Sequence, residues 1–253
     1  MTAATAPSSR PVALVADAGF YVGPDLARLL AGRGFDLVLG DPSDGLAASI
    51  ASASGVSVEV VDGCRDLAAP GTAQRLVEAA LARFGRLDSA TAFSGRIATG
   101  RFMRSTVDDL RAVMEGCMVA PYEFMKAVLP PMIDAQQGQV LVITSASAAR
   151  PTPGAPLYSA ARAGATHMVR NVADEVARHR VQVNSVGTNF MDFPEFRRAN
   201  NADDPAVRAK LEGMVPLGRL GTMEEFAHFC MPYVDGTSRF TTGQFTSYAG
   251  GWA

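Results

Sequence analysis

The chain is poor in the residues that mark several large classes of protein. Its three cysteines, Cys64, Cys117 and Cys230, are odd in number, far apart and nowhere at metal-ligand spacing, so neither a disulfide scaffold nor a cysteine-held metal is expected. The three histidines, His167, His179 and His228, are equally isolated, and no metal site is read from them. No apolar run approaches the ~18 residues that span a bilayer, and the first ten residues lack the charged-then-apolar order of a secretion signal. Twenty-three basic residues against 25 acidic ones, a net charge of −2, with no basic run, argue against nucleic acid as a partner. Heptads, internal repeats and a Pro/Gly-rich linker are also missing, which leaves a single domain over residues 11–253 behind a flexible tail at 1–10. A cytoplasmic protein without a membrane partner is the expectation.

What the chain does contain is an alternation of buried strands and helices. Short apolar runs at 11–16, 35–40, 56–61, 87–92, 140–144 and 180–186, with a last one after Gly243, read as strands covered on both faces, because no solvent side interrupts their hydrophobicity. Amphipathic segments between them, opened by Pro24, by Ser105 or Thr106 with Asp108 and Asp109 in the first turn, and by Thr222 with Glu225, read as helices. The second of these continues past Pro121 to about Met132 with a kink. The fold class expected is α/β, a Rossmann-like doubly wound parallel sheet of about seven strands with helices on both faces.

Glycine is scarce where such a fold usually needs it. The first strand-to-helix turn is Ala16-Asp-Ala-Gly-Phe-Tyr-Val-Gly23, with two aromatics between its two glycines. A pyrophosphate must approach bare backbone amides there, and Phe20 and Tyr21 stand in the way or else only pack against a neighbouring loop. Asp41, after the second strand, stands where such folds hold a ribose hydroxyl, but Asp-Pro is also an ordinary loop opening.

The chemistry concentrates around the fifth strand. The run at 140–144 ends in Ser145 and Ser147, a Pro/Gly loop follows, and an Ala-rich helix begins near Leu157. Tyr158 and Arg162, four apart, share a helical face, so a fixed positive charge can lie near the phenol and favour its ionised form. Tyr158 is then a candidate general base and Ser145 a hydrogen-bond donor to the same substrate oxygen. The alternative is a loop serine, a surface tyrosine and an N-terminal-turn arginine. Aromatics crowd residues 188–196 at the end of the sixth strand, and a polar, helical lid is expected over 188–215.

Together these strings resemble the short-chain dehydrogenase/reductase superfamily over nearly the whole chain. The carriers are Phe84-Gly-Arg-Leu-Asp88, the Ser145 and Tyr158 pair, Val183-Asn184, Pro216-Leu-Gly-Arg219, Thr242-Gly-Gln244 and Gly250-Gly251. Against that family's Thr-Gly-x-x-x-Gly-x-Gly turn, two of three glycines are here Asp17 and Tyr21. Its Asn-Asn-Ala-Gly reads Ala92-Phe-Ser-Gly95, and its Tyr-x-x-x-Lys reads Tyr158-Ser-Ala-Ala-Arg162. Arginine in place of lysine keeps the charge beside the phenol but not the ribose contact. The combination is similar to the halohydrin dehalogenases, a branch with a Ser-Tyr-Arg triad.

That resemblance implies a catalytic Ser145, Tyr158 and Arg162, no cofactor, and a vicinal haloalcohol or an epoxide as substrate. Tyr158 would take the hydroxyl proton, Ser145 would hold the oxygen, and the alkoxide would expel halide to form an epoxide. In reverse, azide, cyanide or nitrite would open the ring. The halide pocket is expected from Phe20, Tyr21, Thr188, Asn189, Phe190 and Met191, in the space a nicotinamide would use. The resemblance also implies a homotetramer through the long helices at 106–132 and 157–178. Two other readings stay open: an NAD(P)-dependent alcohol dehydrogenase or reductase with an unusual arginine, and a catalytically silent ligand-binding protein on the same fold.

Overall fold

The computed structural model describes residues 8–93 and 100–253. In chain order it contains β1 (Val12–Val15), α1 (Gly23–Gly32), β2 (Asp36–Gly40), α2 (Leu46–Ser54), β3 (Val58–Val61), α3 (Thr72–Phe84), β4 (Ser89–Phe93), α4 (Val107–Met114), α5 (Ala120–Asp134), β5 (Gly138–Ser145), α6 (Pro156–Val176), β6 (Val181–Thr188), α7 (Pro194–Asn200), α8 (Pro205–Glu212), α9 (Met223–Cys230) and β7 (Phe245–Tyr248). The strands form one sheet in the order β3-β2-β1-β4-β5-β6-β7, with every neighbouring pair parallel. That is a doubly wound sheet, and its carboxyl edge is where such folds bind ligands.

The apolar runs explain the two-sided burial. In β1, Val12 and Leu14 enter the hydrophobic cluster under α3, α5 and α6, while Ala13 and Val15 enter the cluster under α1 and α9. Val140 and Val142 of β5 divide from Leu141 and Ile143 in the same way. A strand of period two thus serves both layers, and none of these residues is more than 2% exposed.

Several expectations meet a different structure. The helix from residue 105 is capped as expected, Thr106 and Asp109 forming a reciprocal capping box. Its interruption is a π-turn at Glu115–Val119, after which the helix continues past Pro121, in the first turn of α5, to Asp134. The segment expected as a helical lid forms two short helices, α7 and α8. Of the expected tail at 1–10, residues 1–7 lie outside the described residues. Ser8 is bonded to Asp36 and to the backbone of Phe84, and Arg10 to the carbonyl of Gly55. Among the described residues no helix is long and apolar enough to cross a membrane.

Candidate active site

Strand register assembles the site. β5 and β6 pair so that Ser145 lies directly beside Thr188, both at the carboxyl edge, and Thr188 in turn pairs with Tyr248 of β7. The Ser145 hydroxyl donates to the Thr188 carbonyl at 3.4 Å and accepts from both the amide and the hydroxyl of Ser147, at 3.2 and 2.9 Å. All three residues are buried.

The helix opposite, α6, starts at Pro156, whose fixed φ suits the first turn. It carries Tyr158 and Arg162 one turn apart on its inward face. The Arg162 guanidinium, fully buried, lies 5.0 Å from the centroid of the Tyr158 ring and 5.8 Å from that of Phe93. A cation against two aromatic faces keeps part of its stabilisation in a site without water. Ser94 and Gly95 of the loop beyond Phe93, which belong to the altered Asn-Asn-Ala-Gly motif, lie outside the described residues.

The first turn closes over the same edge. Tyr21 adopts φ 54°, the left-handed region a glycine occupies without strain, yet its side chain is inside the protein. Its ring packs at 4.7 Å from Phe93 and 4.8 Å from Phe193, with Phe226 at 5.9 Å and Phe20 at 6.2 Å, and its hydroxyl shares a 2.7 Å hydrogen bond with that of Thr188. Burial raises the Tyr21 phenol well above its ordinary range, with smaller influences from the Thr188 bond and from the charges of Tyr158 and Arg162. Tyr21 is therefore a neutral hydrogen-bonding group in one electrostatic neighbourhood with the other two. The space left between Asp17, Phe20, Gly23, Thr91 and Phe93 is about 10 Å³, room for a single water.

Asp41 is occupied. Its carboxylate accepts from the amides of Gly63 and Cys64 at 2.6 and 2.7 Å; burial alone would raise its pKa, but those bonds outweigh it and hold the group below the usual carboxylate range. A Cβ on Gly19 would stand 2.4 Å from the Asp41 carbonyl, so this glycine is required by the close contact of the two loops. The ordinary-loop reading of Asp41 is the one the geometry favours.

The expected halide-pocket residues divide. Phe20, Tyr21 and Thr188 come together, and Met191 lies in the same hydrophobic cluster as Tyr21. Phe190, at φ 55°, turns away to pack on Val215, Leu220 and Trp252, and the side chain of Asn189 accepts from the Phe190 amide. Phe93, Phe193 and Phe226 join the block without having been placed there by the sequence, since only tertiary structure unites four separate segments. Ser147 was visible in the Thr-Ser-Ala-Ser string but its partner was not. A cleft of about 610 Å³ between Arg33, Arg86, Arg180 and Arg239 lies at the amino ends of the strands and holds none of these groups. Among the described residues no group of three or more His, Cys, Asp or Glu could hold a metal.

A protein-family profile described as enoyl-(acyl carrier protein) reductase matches residues 21–253. The 3-oxoacyl-(acyl-carrier-protein) reductase FabG of Chlamydia muridarum is 30% identical over 177 residues, 70% of each chain. Among solved structures, YwfH, an NADPH-dependent reductase involved in bacilysin biosynthesis, superposes with a TM-score of 0.87 at 22% identity over 97% of this chain and 99% of its own. Another, described as a dehalogenation enzyme, superposes with a TM-score of 0.81 at 26% identity over 96% and 98%.

Proposed function

The chain belongs to the short-chain dehydrogenase/reductase superfamily, and on that basis we propose that it is a cofactor-independent halohydrin dehalogenase, using Ser145, Tyr158 and Arg162 on vicinal haloalcohols and, in reverse, on epoxides with small anions. The observation that carries this reading is Tyr21. It keeps the backbone conformation of a glycine in the first turn while its ring and hydroxyl fill the edge beside the intact Ser, Tyr and Arg groups. The residues there do not fit a nicotinamide dinucleotide. Asp17 would face the pyrophosphate with a carboxylate, Asp41 has both oxygens committed to backbone amides, and the space left beside Phe20 and Phe93 is only about 10 Å³.

The step proposed is a proton transfer followed by internal displacement. The Tyr158 oxygen takes the proton of the substrate hydroxyl, with the Arg162 guanidinium 5.0 Å from the centre of its ring, and Ser145 donates to the forming alkoxide. The alkoxide oxygen bonds to the neighbouring carbon as the carbon–halogen bond breaks, and halide leaves with the electron pair. The proton passes from Tyr158 to water, so each turnover yields one epoxide, one halide and one proton. No hydride moves.

A second reading, an NAD(P)-dependent reductase, is favoured by the reductase names of the relatives and of the matching profile. One assay separates the two. Purified protein with a vicinal bromohydrin and no nucleotide is expected to release bromide and acid in equal amounts, and Tyr158→Phe is expected to lose at least about a thousandfold in rate. Oxidation or reduction that requires NAD(P), with no bromide release, would sink the proposal in favour of the reductase. Assembly as a tetramer belongs to the same proposal. Val107, Leu110, Met114 and Tyr122 of the α4–α5 region are exposed apolar side chains, and light scattering of a monomer would remove that part.

A further inference from the structure

The hydrogen bonds around Ser145 carry more than its position. A hydroxyl has one proton to give and two lone pairs to receive with. Both lone pairs of the Ser145 oxygen are engaged, one by the Ser147 amide at 3.2 Å and the other by the Ser147 hydroxyl at 2.9 Å. The proton of Ser145 is directed to the Thr188 carbonyl, at 3.4 Å, the longest of the three bonds and the weakest by geometry. Ser145 and Ser147 are only 7% and 5% exposed. Backbone geometry builds this arrangement, because Ser145 ends β5 in an extended conformation and caps the short turn Ala146–Ala148 that carries Ser147.

We propose that Ser147 is a positioning residue that makes Ser145 an obligate hydrogen-bond donor toward the substrate oxygen. The proposal rests on the dehalogenase reading for the identity of that oxygen. A serine with a free lone pair can accept from the alcohol and so stabilise the protonated ground state, opposite to what catalysis requires. With both lone pairs taken by Ser147, Ser145 can only donate, and the interaction strengthens as the substrate oxygen becomes an alkoxide. The weak bond to Thr188 is the one exchanged for substrate. The same restriction serves ring opening, where negative charge also grows on the oxygen.

The test is a double-mutant cycle on bromide release. Ser147→Ala is expected to lower kcat roughly tenfold with KM unchanged and the melting temperature within a few degrees of the parent, and Ser147→Thr to restore most of the rate. Because Ser147 acts through Ser145, the Ser145→Ala/Ser147→Ala protein is expected to be no slower than Ser145→Ala alone. Parental kcat in Ser147→Ala, equal losses with alanine and threonine, or losses that multiply in the double variant would each overturn the assignment. A parent protein that releases no bromide would end the dehalogenase reading and the proposal with it. An active parent with an indifferent Ser147→Ala would end only the proposal.

Discussion

The turn between β1 and α1 and the junction of β5 with α6 lie on the same carboxyl edge, and they have taken opposite courses. At the first, positions that bind phosphate only when bare carry side chains: Asp17 and Tyr21 stand in the glycine pattern, and Phe20 beside them adds its ring to the block. At the second, the candidate catalytic groups Ser145, Tyr158 and Arg162 are all buried, with Ser145 held by Ser147 and the Arg162 guanidinium over the Tyr158 ring. Tyr21 holds a positive φ that disfavours an L-residue by about 1–2 kcal/mol. A buried hydroxyl pair and ring contacts with Phe93, Phe193 and Phe226, each of order 1 kcal/mol, offset that strain. The first turn thus exchanges backbone strain for ring packing and a buried hydrogen bond, while the second keeps its candidate catalytic groups together.

If that exchange is what holds the first turn in place, removing the ring must be costly. Tyr21→Ala is expected to lower stability by about 3 kcal/mol, even though it leaves the turn its shape, because it empties the centre of the aromatic block. Calorimetry should show a melting temperature lower by roughly 6–12 °C. A shift under about two degrees would mean that the block contributes nothing to the fold, and the contrast between the regions would fail.

A smaller effect comes from Asp17, which carries the charge into the same turn. One of its carboxylate oxygens is buried without a hydrogen-bond partner, Arg65 approaches only to 3.9 Å, and burial pushes its pKa from 3.8 up to about 6 despite that cation. A carboxyl group whose folded value is raised favours the folded state when protonated. Its stability contribution is therefore greatest below pH 3.8 and is lost as pH rises to about 6. Asp17→Asn is expected to stabilise the protein by about 2 kcal/mol at pH 8 and by almost nothing at pH 4. Equal effects at both pH values would show that the burial of charge is not what sets this region apart.

How much of this could be read from the chain divides along the line between local and long-range order. The seven strands and the capped helices at Thr106 and Thr222 were legible because two-sided hydrophobic runs and capping residues act within a few positions. The helix α2 was missed. Its Leu46-Ala-Ala-Ser-Ile-Ala-Ser-Ala-Ser54 sequence buries only Leu46 and Ile50 and shows almost no stripe, and glycines in the left-handed conformation bound it at both ends. The π-turn at 115–119 has no local signature, and proline drew attention to the wrong residue. In the site, the Ser145, Tyr158 and Arg162 spacing was local and legible. The aromatic block, the diversion of Phe190 to Trp252 and the capture of Asp41 by Gly63 and Cys64 depend on residues tens to more than a hundred positions apart.

The least costly change tests whether the lid belongs with the rigid junction or with the packed turn. Asp192, just beyond β6, accepts from Arg197 of α7 at 3.0 Å and from Arg208 of α8 at 2.8 Å, so one carboxylate ties both helices of the expected lid to the end of β6. Burial alone would raise its pKa, but the two guanidinium groups outweigh it and hold the carboxyl below the usual range. The linkage therefore has the opposite sign to that of Asp17: its contribution is present above the ordinary carboxylate pKa and is lost as pH falls through the depressed one. The group is partly exposed, so the effect on stability is about 1 kcal/mol or less. Asp192→Asn should raise KM for the haloalcohol a few-fold while leaving kcat near the parent value, because it loosens the cover and not the groups that move the proton. A fall in kcat at constant KM would instead place Asp192 with Ser145 and Tyr158, as part of the proposed catalytic junction.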